Sequence, residues 1–330
     1  MRRRSAGGPA ARLIVAALAS LALVASAFAQ EAADPGRYLG PRMPDAEFER
    51  FGLTSVEVPG GELRVAFAPG PLALPRSAVL AWVASSARVV AAYYGRFPAV
   101  RTRLLIVPRP GAGVGAGKAW AHRGATLRIA IGEHTSPAAL DADWVLVHEM
   151  IHLAFPAVAD RHNWIHEGLA TYVEPVARAQ AGRLSGAAVW AELAAGLPRG
   201  LPGPGDEGLD RTPTWGRTYW GGALFALLAE VEIRRRTANR FGLQQALRAI
   251  LETGNMETAS ALEPLLQAGD RAVGAPVLIE LYAAMKDHPH PVDLAALWQR
   301  LGVRPRPGGV ELDDAAPEAH IRRAITVPLR

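Results

Sequence analysis

The sequence contains no cysteine, and its basic and acidic residues, 36 and 31, are nearly equal in number. Without cysteine, the chain has neither disulfide bonds nor a thiol for lipid attachment, which excludes a disulfide-stapled mini-domain. Half of the residues are hydrophobic, which excludes a disordered chain or a collagen-like repeat. The 330 residues suffice for one large domain or two small ones with a buried core.

The first 29 residues have the anatomy of a secretory signal peptide. Four arginines and no acidic residue lie in this segment: Arg2, Arg3, Arg4 and Arg12. An apolar stretch, Leu13–Phe28, follows and ends in an A-x-A cleavage pattern at residues 27–29. This stretch is shorter than the roughly 20 apolar residues that cross a bilayer. The sequence therefore predicts a signal peptide over residues 1–29 and an exported, periplasmic or secreted protein without a membrane span after cleavage.

The basic isoelectric point, near 9.9, does not indicate a nucleic-acid partner. Once the four N-terminal arginines are set aside, the remaining basic and acidic residues almost balance. A protein that binds nucleic acid concentrates basic residues on one face or helix. The charge distribution thus argues against nucleic acid as a partner.

The residues before position 137 are predicted to form a small α+β part, over residues 30–136. The expected elements are two strands within Val56–Phe67 around Pro59-Gly60-Gly61, a helix over residues 76–95, and strands Arg103–Val107 and Thr126–Ile131. Thr126–Ile131 is expected to be the edge strand with which an extended substrate pairs.

A glycine-rich loop, Gly111–Gly124, is expected between the last two of these strands. It does not match a phosphate-binding loop, because Ala112 and Ala119 replace the first glycine and the hydroxyl residue of that motif. We interpret it as a flexible rim of the cleft.

The remainder is predicted to be mostly helical, over residues 137–300, followed by an irregular tail over residues 301–330. The first helix should run from Pro137 to Phe155, and the next from Asn163 to at least Val173. A Pro/Gly-rich loop, residues 197–215, precedes a long helical region that begins near Thr218.

The first central helix contains the sequence H-E-M-I-H. His148 and His152 are one helical turn apart, so both imidazoles can reach the same metal ion, and zinc suits neutral imidazole nitrogen. Glu149 projects about 100° away from His148 around the helix, where it can take a proton from zinc-activated water. Two surface histidines on an ordinary helix are the alternative explanation of this pattern.

The following helix carries the sequence W-I-H-E-G-L-A-T-Y-V-E over residues 164–174. Together with H-E-x-x-H, this segment resembles the gluzincin metallopeptidases. The resemblance is to the aminopeptidase-N and glycyl-aminopeptidase branch, including its small secreted relatives, which has a thermolysin-like zincin catalytic domain. It covers residues 137–222.

The resemblance implies a Zn²⁺ ion, one per chain, with His148, His152 and Glu167 as ligands and Glu149 as general base. Tyr219, in the sequence Y-W-G-G, resembles the tyrosine whose hydroxyl stabilises the oxyanion in these enzymes. A tyrosine that merely packs at a helix start is the alternative for Tyr219.

Three further residues near these motifs have less defined roles. Glu174 is expected to support the structure or the ligands of the metal rather than to bind it. Thr171 and His166 are expected close to the site.

One family feature is absent from the sequence. The aminopeptidase branch holds the substrate's free amine with a glutamate in an upstream Gly-Ala-Met-Glu-Asn strand, whereas Gly111–Ile131 contains no acidic residue. Endopeptidase and aminopeptidase activity therefore both remain open.

The sequence favours an exported zinc metallopeptidase that acts on peptides or proteins. A catalytically inactive zincin-like protein that serves binding or assembly in the cell envelope is the alternative. A metal hydrolase acting on a non-peptide amide is a third hypothesis. The sequence predicts neither the substrate nor the oligomeric state.

Overall fold

A computed structural model describes residues 48–121 and 123–328 of the chain. The predicted signal peptide over residues 1–29 lies outside the described residues. The predicted α+β class is confirmed, because a small mixed sheet is followed by a mostly helical part. One cluster of buried apolar side chains extends through both parts, from Val58 in the sheet to Ile325 near the C-terminus.

The sheet contains five strands. They are β1 (Thr54–Val58), β2 (Gly61–Phe67), β3 (Arg101–Arg109), β4 (Val114–Trp120) and β5 (Ala125–Gly132). Their order across the sheet is β1-β2-β3-β5-β4, with the inner three strands parallel and each outer strand antiparallel to its neighbour. The predicted strand pair around Pro59-Gly60-Gly61 is confirmed, and Gly60 makes its turn with a φ of 86°.

The position of β4 corrects two predictions about the cleft edge. The segment Gly111–Gly124, expected to be a loop, contains β4, which is the outer strand. Thr126–Ile131, expected at the edge, lies inside β5, between β3 and β4. All residues of β5 are buried, as is typical of an interior strand. Residue propensity did not reveal β4, because glycine is depleted in strands.

Helices form most of the rest of the described chain. In order they are α1 (Arg76–Tyr94), α2 (Pro137–Asp141), α3 (Val145–His152), α4 (Asn163–Gln180), α5 (Gly186–Gly196), α6 (Gly222–Arg236), α7 (Leu243–Thr253), α8 (Leu262–Val273), α9 (Val277–Met285), α10 (Leu294–Leu301) and α11 (Ala319–Thr326). α1 ends at Gly95, as predicted, and packs against β1 and α3. Within residues 48–121 and 123–328, no helix has the length and apolar character required to cross a membrane.

The helix predicted from Pro137 to Phe155 is in fact two helices, α2 and α3. Between them, the Asp143 carboxylate accepts hydrogen bonds from the backbone N–H groups of Val145 (3.0 Å) and Leu146 (3.1 Å). An acidic side chain that satisfies free donors in this way favours a new helix start over continuation of the preceding helix. The two histidines of the H-E-M-I-H sequence consequently lie on the short helix α3.

The predicted helix from Asn163 extends beyond Val173 and through Pro175 to Gln180. Proline removes one backbone hydrogen bond from a helix. Residues on both sides of Pro175 are buried, and this burial offsets the loss. At the end of α4, the side chain of Gln180 donates to the carbonyl of Ile325 at 3.0 Å, which joins α4 to α11.

The prediction of an irregular tail after residue 300 was wrong for three segments, Val303–Arg306, Gly309–Leu312 and Ala319–Thr326. Strands β6 (Val303–Arg306) and β7 (Gly309–Leu312) form a hairpin, and α11 follows. The hairpin turns at Gly308, whose φ of 78° suits glycine. Arg322 of α11 donates to the carbonyl of Gly302 at 3.2 Å. These long-range contacts order a segment whose prolines suggested irregular structure.

Candidate active site

Helix α3 presents two buried histidines, His148 and His152, on one face. Their ring centroids are 4.9 Å apart, and the ring planes are nearly perpendicular. Burial, together with the neighbouring His148, lowers the pKa of His152 to about 3. The His152 imidazole is therefore neutral at physiological pH, which is the form that binds a metal ion.

Glu167, on the adjacent helix α4, lies opposite both histidines. Its Oε2 atom is 3.5 Å from Nε2 of His148 and 3.5 Å from Nε2 of His152. Burial by itself would raise the pKa of Glu167. The hydrogen bond with His148 and the nearby imidazoles have the larger effect, so the pKa is lowered. Glu167 is therefore an ionised carboxylate facing two imidazole nitrogens.

These three side chains fit a zinc ion. One ligand atom from each lies within 4.8 Å of the other two. Bonds of about 2.1 Å to a shared tetrahedral centre would place ligand atoms roughly 3.4 Å apart. The two histidine–glutamate distances of 3.5 Å are close to that value. Two imidazoles and one carboxylate also form a common ligand set of catalytic zinc, which keeps a fourth position for water or substrate.

Glu149 lies beside this triad, against the outer strand β4. The backbone N–H of Ala119 donates to the Glu149 carboxylate. A Cβ atom on Gly117 would lie 2.4 Å from Cγ of Glu149 and 2.7 Å from its Oε1, so this side chain packs directly on the glycine. Burial raises the pKa of Glu149 to about 7. The Glu149 carboxylate is thus held against β4, beside the cluster of His148, His152 and Glu167.

Tyr219 reaches the same site from a π-helical turn, Gly216–Gly221, that precedes α6. Such turns are frequent at functional sites. The ring of Tyr219 stacks on Trp215, with 5.9 Å between centroids, and its hydroxyl donates to Glu167. Burial and the Glu167 carboxylate raise the pKa of Tyr219 to about 12, so the phenol is protonated and able to donate a hydrogen bond.

Two open cavities meet at these residues. The first, of about 570 Å³, and the second, of about 630 Å³, are both lined by Gly117, His148, Glu149 and Tyr219. The structure therefore brings all five residues predicted for the site together, since His152 and Glu167 also line the first cavity.

The residues predicted near the site occupy separate positions. His166 lines the first cavity, and burial lowers its pKa to about 4. Thr171 and Glu174 line the second cavity. Glu174 is buried and forms an ion pair with Arg178 at 2.8 Å, so it does not belong to the metal triad.

Two glycines allow α4 and α6 to touch backbone to backbone. A Cβ atom on Gly168 would lie 2.3 Å from Cα of Gly222, and one on Gly222 would lie 2.1 Å from the carbonyl oxygen of Trp164. Gly168 directly follows Glu167, and Gly222 is three residues beyond Tyr219. The close crossing of the helices therefore sets the position of the tyrosine relative to the carboxylate.

Replacing Gly168 with alanine is expected to destabilise the protein by about 1–3 kcal/mol, the usual cost of overpacking, because the helices must separate. Urea unfolding measures this loss. Gly203→Ala is the matched control, since nothing lies within 4 Å of a Cβ at that position. Equal stability of the two variants would contradict the importance of the crossing.

Comparison with known proteins identifies the fold. No protein-family model and no curated protein sequence matches the chain. The chain is structurally similar to an aminopeptidase N family protein from Idiomarina loihiensis, with 14% identity and a TM-score of 0.58 over 77% of this chain and 49% of that one. The two share a fold. An M1 zinc metallopeptidase from Deinococcus radiodurans is 20% identical, with a TM-score of 0.47, over 72% of this chain and 53% of its own length. The chain thus spans about half the length of these proteins.

Sequence reasoning missed the side chains that fix the segment before Tyr219. Asp210 accepts hydrogen bonds from Nδ1 of His162 (2.8 Å), Nε1 of Trp164 (2.7 Å) and the hydroxyl of Tyr282 (2.8 Å). Arg217 forms a buried ion pair with Asp206 at 2.7 Å. The loop expected over residues 197–215 is consequently anchored to the start of α4, close to Glu167. Its partners are distant in sequence, so no local pattern indicated them.

Gly117 was also missed, although the sequence contained a signal for it. Glycines recur at every second position from Gly111 to Gly117. Because a strand has a period of two, this spacing indicates a strand face with little side-chain cover.

Proposed function

We propose that the protein is an exported zinc metallopeptidase that binds one zinc ion per chain through His148, His152 and Glu167. The convergence of these three ligand atoms beside Glu149, a carboxylate outside the triad, carries the proposal. The fold shared with an aminopeptidase N family protein adds support. The signal-peptide pattern of residues 1–29 supports export.

The chemistry follows from the placement of the side chains. A bound zinc ion polarises a carbonyl and lowers the pKa of water toward about 7. Glu149 takes a proton from the attacking water as the water oxygen adds to the carbonyl carbon. It then passes this proton to the leaving nitrogen as the C–N bond breaks. Tyr219, protonated and lining the same cavities, donates a hydrogen bond to the oxyanion. A peptide or protein is the proposed substrate.

The test combines metal analysis with peptide hydrolysis. Protein purified from cells that express the full chain should contain near-stoichiometric zinc and cleave members of a peptide library. Removal of zinc by a chelator should abolish cleavage, and added zinc should restore it. Cell fractionation and determination of the mature N-terminus test export. Purified protein that neither retains zinc nor cleaves peptides would instead favour the alternative, a catalytically inactive zincin-like protein that serves binding or assembly.

Glu167→Ala is expected to lower zinc occupancy well below that of the unaltered protein, because it removes one of three ligands and leaves two histidines. Elemental analysis after dialysis measures the occupancy. Glu57→Ala is the control, since Glu57 is an exposed acid on β1, at the opposite edge of the sheet from β4. Unchanged zinc content in Glu167→Ala would remove Glu167 from the ligand set.

A further inference from the structure

The reacting groups lie between two cavities and not at the closed end of one. Both cavities follow the outer strand β4 in opposite directions from Gly117. The first extends along residues 118–121, and the second extends back along residues 114–116. A substrate chain can therefore leave the site on either side.

Strand β4 is suited to bind an extended backbone along this path. It pairs with β5 on one side and is the last strand of the sheet. Outer strands offer unpaired backbone groups to an added strand. At about 3.3 Å per residue, the seven residues of β4, Val114–Trp120, extend over at most roughly 23 Å, with an irregular register between Val114 and Gly117, which is long enough for several substrate residues on each side of Glu149.

The first cavity does not provide a carboxylate for a terminal amine. Among its described lining residues, the acidic ones are Glu149 and Glu167, which belong to the reacting centre. The exposed side chain of Lys118 lines this cavity beside them. A lysine ammonium repels the α-ammonium group of a free N-terminus, whereas it tolerates a neutral peptide backbone.

The second cavity has a surface that suits a substrate side chain. Trp144 and Trp215 line it, and they are 51% and 60% exposed. Exposed rings of this size commonly mark binding surfaces. Three acids also line this cavity: Glu149 of the reacting centre, Glu174, which is already paired with Arg178, and Glu192, which is exposed on α5.

We propose that the cleft binds the middle of an extended polypeptide and that the enzyme is an endopeptidase, which hydrolyses internal peptide bonds and does not require a free terminal amine. This inference rests on the proposed peptidase function. It follows from cavities on both sides of Glu149, the outer strand β4 along them, and a lysine beside the reacting centre.

The test uses zinc-loaded protein and three substrates. The first is a library octapeptide that the protein cleaves, now acetylated at its N-terminus and amidated at its C-terminus. The second is the same peptide with free termini, and the third is leucine 4-nitroanilide, which releases dye only when a single residue with a free amine is removed. Mass spectrometry locates the cleaved bond, and Glu149→Gln protein controls for a contaminating peptidase.

We expect internal cleavage of both octapeptides with kcat/KM values within about threefold of each other, and at least about 100-fold lower kcat/KM for leucine 4-nitroanilide. Stepwise removal of N-terminal residues, with no cleavage of the blocked peptide, would overturn the endopeptidase inference and leave the peptidase proposal intact. Zinc-loaded protein that cleaves no member of the peptide library would overturn both.

Discussion

Glu149→Gln is expected to reduce kcat for peptide hydrolysis by about 10²–10⁴-fold, the range that general acid–base catalysis contributes. Glutamine has nearly the same shape as glutamate, so it can keep its contact with Gly117, and its amide oxygen can accept the hydrogen bond from Ala119. It cannot take a proton from water. The loss should therefore arise from proton transfer and not from a rearranged site.

Zinc content distinguishes this explanation from damage to the metal site. Glu149 lies outside the triad of ligand atoms, so the glutamine variant should retain as much zinc as the unaltered protein. Thermal unfolding should also be nearly unchanged. Full activity in the variant would exclude Glu149 as the general base, and loss of zinc would show that it supports the metal instead.

The cluster of His148, His152 and Glu167 was accessible from the sequence because its geometry is mostly local. His148 and His152 share one helical turn, and the spacing alone places them on the same face. Glu167 required a second motif, and its distance of 3.5 Å to both histidines agrees with the ligand role that the resemblance implied. The α+β class was likewise visible, because buried strands and helices differ in hydrophobic period.

The cleft edge was not accessible in the same way. Whether a strand is interior or outer depends on pairing between distant segments, and Thr126–Ile131 carries the stronger local strand signal although β4 is the outer strand. The Asp143 carboxylate divides the predicted Pro137–Phe155 helix by accepting two backbone hydrogen bonds. Composition does not tell whether these two bonds are more stable than one uninterrupted helix. The contact between Gly168 and Gly222 likewise exists only once α4 and α6 have packed.

The second large effect is expected for Gly117→Ala, which should lower kcat by about 100-fold, since a displacement of about 1 Å can cost this much in catalysis. The new methyl group would lie 2.4 Å from Cγ of Glu149 and must push that side chain from its place. Gly117 is not among the glycines with positive φ, so alanine can adopt its backbone conformation. Zinc content should stay unchanged because the ligands come from α3 and α4.

A double-mutant cycle separates displacement of the base from a simple loss of space for the substrate. If Gly117 acts through Glu149, Gly117→Ala should cause little further loss once Glu149 is glutamine, because the proton acceptor is already gone. If the glycine only makes room for the substrate backbone on β4, Gly117→Ala should raise KM. It should then lower kcat/KM by the same factor in Glu149→Gln protein as in the unaltered protein. Steady-state kinetics of the four proteins, with zinc measured in each, decide between the two. A non-additive loss confined to kcat would establish Gly117 as the residue that positions the general base.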